Sequence, residues 1–200
     1  GTIIGPDEKI TSAVHDAIVQ LSDKISVFIA TGREPADAFN YSRELGLATP
    51  QLCDGGANIL DPVQQVSVWT APLGPVNAKL VITKLKQMGT AFVATHDNGT
   101  ASTFDGVPNW DLIRVSALDM DEGTADTLAD HFSSNSDIYV VKAVLPYNGL
   151  WAVDFTLAGV DKATGISRIG DTLGVNPANM VAVGDSYNDL PMLEACGFSV

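Results

Sequence analysis

Met180-Val181-Ala182-Val183-Gly184-Asp185-Ser186-Tyr187-Asn188-Asp189-Leu190-Pro191-Met192-Leu193 is the stretch that decides the fold. Its first four residues are apolar and β-branched-rich, the pattern of a short strand buried on both faces. The strand gives way at once to a polar turn, and a helix follows. Strand, turn and helix in that order are half of a βαβ unit, and such units build parallel sheets. The same pattern opens the chain. Residues 7–24 place Ile10, Val14, Ala17, Ile18 and Leu21 at helical spacing. Ile25 to Ala30 then reads as a second doubly buried strand, ending in Thr31-Gly32-Arg33 before a helix that starts near Pro35 and stops near Gly46. Pro50-Gln51-Leu52-Cys53 and the loop Asp54-Gly55-Gly56-Ala57 come next.

Between these ends the pattern changes. Val66–Trp69, Phe92–Ala94, Leu112–Leu118, Ile138–Val144 and Trp151–Phe155 read as short strands, with helices at 75–88 and 121–133 and a polar, turn-rich stretch at 96–111. Strands joined by hairpins and mixed with two helices form an α+β module. A helix over Asp161–Leu173 restores the βα order. The expected architecture is therefore α/β: a parallel-sheet core from residues 1–60 and 154–200, split by an α+β insertion over 61–153. Gly197-Phe198-Ser199-Val200 has the look of a further strand beginning.

Composition narrows the function. The 200 residues carry 46% hydrophobic and 18% charged side chains, enough to build a core and too apolar for a disordered chain. The net charge of −13 disfavours nucleic acid and anionic membrane as partners, since both need clustered Lys and Arg. An anion would have to be held by a few placed groups or a metal. Two cysteines, Cys53 and Cys196, make neither a disulfide framework nor a zinc site. No apolar run is long enough for a membrane-spanning helix.

Ligands of open parallel sheets bind beyond the carboxyl ends of the strands. Asp185 and Asp189 sit at one such end, four residues apart, where both carboxylates can face one cavity. Either they cap the following helix, as Asp often does, or they hold a hard divalent cation; Mg²⁺ takes one or two carboxylates plus substrate phosphate. We take the metal reading because of the whole Gly-Asp-Ser-Tyr-Asn-Asp run. Thr31 and Gly32 at the other strand end offer a hydroxyl and free backbone amides to a phosphoryl oxygen, or a simple turn. Arg33 suits an anion, although a lone surface Arg is commoner. Lys162 opens a helix against the macrodipole, by default as an exposed side chain.

These segments, in this order, resemble the haloacid dehalogenase superfamily of phosphohydrolases, and most closely its Cof-like, type IIB branch, in which an α+β cap is inserted between the second and third motifs. Thr31 in Ala-Thr-Gly-Arg matches the second motif, Lys162 the third, and Asp185 and Asp189 the fourth; Gly1-Thr2-Ile3-Ile4 looks like the tail of the first, Asp-x-Asp-Gly-Thr. The resemblance implies a Rossmann-like core, Mg²⁺ as cofactor and phosphomonoester hydrolysis through an aspartyl-phosphate. It implies Asp185 as direct metal ligand and Asp189 as a partner of metal-bound water or of the groups around the ion. Thr31, Gly32, Arg33, Lys162 and Asn188 would contact substrate, with Lys162 neutralising phosphoryl charge. Thr31, Lys162 and Asp185 are the expected catalytic residues. The first-motif Asp residues are absent from the sequence, so it is expected to be trimmed at both ends and, as it stands, unable to form an aspartyl-phosphate. Asp54 stands where relatives usually carry Asn, and no substrate role is assigned to its loop.

The expected substrate is a small phosphorylated metabolite such as a sugar phosphate, met in the cytoplasm by a monomer or homodimer. A phosphomutase, or a non-catalytic phospho-ligand-binding module lacking the nucleophile, are the alternatives. His96, Asp97 and Asn98 are candidates to reach the cleft, but Asp97-Asn98-Gly99 is good turn chemistry. Trp110, Tyr147 and Trp151 could stack on a sugar or base but read as core, and His15 and His131 as surface residues.

Overall fold

The computed structural model describes residues 2–5 and 7–200, so Gly1 of the Gly1–Ile4 segment lies outside the described residues. Two bodies of structure are built from opposite ends of the alternation pattern. The first gathers α1 (Ser12–Ser22), α2 (Pro35–Glu44), β1 (Gln51–Cys53), β2 (Asn58–Asp61) and β3 (Val66–Thr70) from the front of the chain. The second runs through α3 (Pro75–Met88), β4 (Phe92–His96), β5 (Gly99–Ala101), β6 (Leu112–Met120), α4 (Glu122–Phe132), β7 (Ile138–Val144) and β8 (Trp151–Leu157). The chain then returns to the first body with α5 (Lys162–Leu173), β9 (Val181–Ala182), α6 (Leu190–Ala195) and β10 (Phe198–Ser199).

The five-stranded sheet, in the order β5-β4-β6-β8-β7, is antiparallel throughout. Strand residues alternate between its faces. On one face Phe92, Val115, Ala117, Val153 and Phe155 pack under Ala78, Val81, Leu85, Ala125 and Leu128 of the two helices, the largest apolar core of the molecule. Phe132 and Phe155 meet edge to face there, 5.0 Å apart. The other face carries Thr95, Arg114, Ser116, Asp154 and Thr156, all buried although polar. Burial of polar side chains needs partners, and this face supplies them from the first body.

In that first body the chain runs parallel at two places. Ala30 bridges Leu52, and β10 pairs with β9. Here the structure corrects two expectations. Ile25–Ala30 is extended but forms only that one bridge, held by Thr31 N–H to Leu52 O at 2.9 Å and Leu52 N–H to Ile29 O at 2.9 Å. Ile25 is 53% exposed, and Val181 and Val183 in the other expected strand are 63% and 53% exposed. Neither segment is buried on both faces. Both border a cleft of about 1150 Å³, as do Val14, Ala17, Ile18 and Leu21, the apolar stripe of α1. That helix is also shorter than the 7–24 span, starting where the Thr11 hydroxyl caps Val14 N–H, and none of its residues is fully buried.

The β1–β2–β3 ribbon is antiparallel, and β2 was not foreseen. The 96–111 stretch, expected to be polar and turn-rich, also contains β5. Asp97-Asn98 does form the two-residue turn between β4 and β5, with His96 opposite Gly99. Among the described residues no helix is long and apolar enough to cross a membrane.

Candidate functional site

The site is assembled at the ends of the two extended segments that border the cleft. Thr31 leaves the first with its Oγ1 accepting from Arg33 N–H at 3.0 Å, which tightens the turn. Gly32 lies beneath the side chain of Asn188: a Cβ at Gly32 would sit 3.2 Å from the Asn188 amide nitrogen and 3.8 Å from Asp154 Oδ2. The second and fourth motifs and the inserted sheet therefore meet within one side chain's reach. Thr31, Gly32, Arg33, Lys162, Asp185, Asn188 and Asp189 all line the same cleft.

Sequence reasoning placed Asp185 and Asp189 together as metal carboxylates, but the structure gives them different surroundings. Asp189 is 4% exposed. Its Oδ1 takes Lys162 Nζ at 2.5 Å, and its Oδ2 accepts from the backbone amides of Asp185 at 3.2 Å and Ser186 at 3.0 Å. Gly184 makes this possible, because a Cβ there would lie 2.6 Å from Asp189 Cβ. Asp189 thus holds the loop and the lysine. Asp185 is exposed; its Oδ1 accepts from the Thr2 hydroxyl at 2.7 Å, and its Oδ2 has no partner among the described residues.

That donor set fits Mg²⁺ in part. The ion takes oxygen ligands and keeps waters, leaving one or two positions to carboxylate and others to substrate phosphate. Asp185 offers one such oxygen on a loop whose amides are already pinned. The described residues contain no cluster of three metal-ligating side chains.

Lys162 is not the exposed side chain that its position suggested. It is 4% exposed at the first turn of α5, where Asp161 caps the helix through Thr164 in a reciprocal pair of bonds. Gly56 seats it from below: at φ +113° its absent Cβ would lie 2.0 Å from Asp161 O. Arg33 is less free than a substrate-binding role would need. Nη1 bonds Asp37 at 2.9 Å and Nη2 bonds Glu8 at 2.8 Å, so its charge is matched twice by protein.

The group that sequence reasoning missed is Asp54-Arg114-Asp154. Asp54 is fully buried in the left-handed backbone region, φ 51°, which Asp tolerates. It accepts from Thr95 Oγ1 at 2.8 Å, Asn58 Nδ2 at 3.1 Å and Arg114 Nε at 3.1 Å. Arg114 Nη1 then reaches Asp154 Oδ1 at 2.8 Å. Burial pushes the Asp54 carboxyl above its ordinary range, against the pull of Arg114 and its hydrogen bonds. Burial likewise raises Glu34, which borders the same cleft. The only local hint was an Asp in a Gly-rich loop; its partners are 41 and 60 residues away.

His96, Asp97 and Asn98 stay in their turn, and Asn98 N–H bonds His96 Nδ1. Trp110 and Trp151 are partly buried against the sheet core, with Lys79 and Lys142 over their rings. Tyr147 is 46% exposed and donates to Asp119, and burial with that bond pushes its hydroxyl up to about 12. His15 is half-buried, its Nε2 3.2 Å from Glu44 O.

The polar segment ends of an α/β domain thus lie in one cleft with the polar face of an inserted antiparallel sheet. The chain belongs to the haloacid dehalogenase-like hydrolase family, which it matches over residues 1–142 and 108–200. It is 30% identical over 199 residues to a phosphoglycolate phosphatase of Natronomonas pharaonis, covering 98% of this chain and 78% of that one. It is 22% identical over 211 residues to a 5-amino-6-(5-phospho-D-ribitylamino)uracil phosphatase of Bacillus subtilis, covering 100% of this chain and 79% of that one. In fold it is similar to a haloacid dehalogenase-like hydrolase from B. subtilis, with TM-score 0.83, 16% identity and coverage of 100% and 85%. A subclass IIB sugar phosphatase gives TM-score 0.78 at 15% identity, with coverage of 100% and 83%. The α/β core with an inserted α+β sheet is thus the family's architecture.

Proposed function

We propose that this chain serves Mg²⁺-dependent hydrolysis of a small phosphorylated metabolite, such as a sugar phosphate, by the aspartyl-phosphate route. The observation that carries this reading is the convergence of Thr31-Gly32, Lys162 and Asp185 on one cleft beneath a buried polar sheet face. Thr31 and the amides after it hold phosphoryl oxygens. Lys162, oriented by Asp189, places a fixed positive charge beside the group being transferred, where preorganised charge lowers the barrier most. Asn188, against Gly32, orients the ester. Asp185 would hold Mg²⁺, which supplies charge neutralisation at the phosphate when bound. The route also needs a carboxylate nucleophile in addition to these groups.

The division into a core of residues 1–60 and 154–200 and a cap of 61–153 goes with this proposal. So do a small-molecule partner, a monomeric or homodimeric state and a cytoplasmic setting. Phosphate release from a panel of sugar phosphates and phosphorylated acids, with MgCl₂ or with EDTA, tests it together with Mg²⁺-dependent binding of inorganic phosphate. Release that requires Mg²⁺ supports it. Absence of both release and phosphate binding refutes it.

A further inference from the structure

The face of the inserted sheet that closes the cleft is charged in an unusual way. Among the described residues Arg114 is the one cation of that face, and two buried carboxylates, Asp54 and Asp154, hold it by Nε and Nη1. Glu34 borders the same space. Arg33, the next guanidinium, is matched by Glu8 and Asp37. Around Arg114, the carboxylates of Asp154 on the sheet and of Asp54 and Glu34 from the first body therefore outnumber the cation.

The free valences of this face are specific. Asp154, with a side chain 9% exposed, uses Oδ1 on Arg114, while Oδ2 has no protein donor among the described residues and faces Gly32. Arg114 Nη2 likewise has no protein acceptor among the described residues, and Arg114, Ser116 and Asp154 all border the cleft. A hydroxyl both donates and accepts. An acceptor oxygen beside a donor nitrogen matches that group. A carboxylate in the same place would accept from Arg114 but face Asp154 and Asp54, and like-charge juxtaposition is strongly unfavourable where water is excluded.

We propose that the Asp54-Arg114-Asp154 triad is a specificity device that selects phosphate esters of uncharged polyhydroxy alcohols and rejects those whose alcohol carries a carboxylate. The proposal rests on the phosphohydrolase reading of the cleft and narrows it. Asp54 is the element that sets the sign: it spends the charge of Arg114 from behind, out of reach of ligand, so the exposed side of the triad presents Asp154. Asp54 and Asp154 touch the ligand unequally. Asp154 binds it, and Asp54 acts through Arg114 as a positioning residue.

Glycerol 3-phosphate and 3-phosphoglycerate test this as a pair, since they differ by a hydroxymethyl group against a carboxylate. Their affinities, and that of inorganic phosphate, are measured by calorimetry at fixed ionic strength with MgCl₂. The wild-type chain is expected to favour glycerol 3-phosphate by about tenfold or more. Asp54→Asn keeps the shape of the loop, releases the charge of Arg114 and is expected to narrow or reverse that ratio. Asp154→Asn is expected to weaken glycerol 3-phosphate selectively. Equal affinities in the wild type, or preference for 3-phosphoglycerate, overturn the proposal while leaving the phosphohydrolase reading standing. An unchanged ratio in a folded Asp54→Asn chain overturns the role of Asp54. If none of the three ligands binds, the phosphohydrolase reading fails and the proposal with it.

Discussion

Asp185 and Asp189 are four residues apart and chemically identical, yet removing them should have opposite consequences. Asp189→Ala takes the counter-charge from Lys162, which is 4% exposed and bonded at 2.5 Å. Breaking a buried ion pair by deleting one partner costs about 3–5 kcal/mol, because the other charge is left buried and unmatched. The amides of Asp185 and Ser186 lose their acceptor as well. Against a total stability of about 5–15 kcal/mol this is a large fraction. In a chain of this size it lowers Tm by roughly 6–20 °C. Asp185→Ala removes an exposed carboxylate whose only partner among the described residues is Thr2, so stability should change by no more than about 0.5 kcal/mol. Under the proposed function its effect should fall instead on Mg²⁺: the wild type is expected to gain Tm with Mg²⁺ and phosphate, and Asp185→Ala is expected not to. The double variant Lys162→Met/Asp189→Asn should be less destabilised than the sum of its singles, since neither charge is left alone. Urea unfolding followed by far-ultraviolet circular dichroism measures all six chains: wild type, Asp185→Ala, Asp189→Ala, Lys162→Met, Asp189→Asn and the double variant. If Asp185→Ala and Asp189→Ala are equally stable, Asp189 does not hold Lys162 and the assignment of the pair is wrong.

Three more outcomes follow from the packing. The carboxyl of Asp54 is raised by burial above the 3.8 of an ordinary Asp, so the native state takes up its proton more readily than the unfolded chain. Its contribution is fully present below that unfolded value and is lost as pH rises through the native one. The stability of the wild type relative to Asp54→Asn should therefore fall as pH rises above about 4; a flat or rising difference in pH-stepped urea titrations would contradict the buried, coupled placement. Gly56→Ala forces a methyl group to within 2.0 Å of Asp161 O at a positive φ, so it should cost at least about 1–3 kcal/mol and weaken phosphate binding by moving Lys162. Phe155→Ala empties a fully buried position beside Phe132 and should cost about 3–5 kcal/mol, while phosphate affinity in the folded fraction stays within about twofold of wild type.

Much of this molecule is legible from local pattern. The 3.6-residue period found α3, whose Ala78, Val81, Ile82 and Leu85 form one buried face, and the helix α5, which the structure shows capped at Asp161. The two strand ends were marked by residues whose chemistry is local, Thr31-Gly32 and Gly184-Asp185. Burial was less legible. Ile25–Ala30 reads as buried on both faces because its side chains are apolar, but how much of a segment is covered depends on which segments flank it, and apolarity says nothing of that. Lys162 reads as exposed for the converse reason: a lysine is buried only when a carboxylate from elsewhere meets it, and Asp189 is 27 residues away.

The sequence by itself determined the alternation of strands and helices, the insertion of hairpin-joined strands and two helices into a βα pattern, and the polar residues that end the two segments bordering the cleft. Those rest on periodicity, turn chemistry and short motifs, each contained within about a dozen residues. Only the tertiary structure decided which carboxylate faces solvent and which holds the lysine, and that Asp54, Arg114 and Asp154 form one buried unit. Those contacts join residues 40 and 60 positions apart across different strands. Their energy comes from partners brought together in a low-dielectric interior, where an unmatched charge is costly and a matched one fixes geometry.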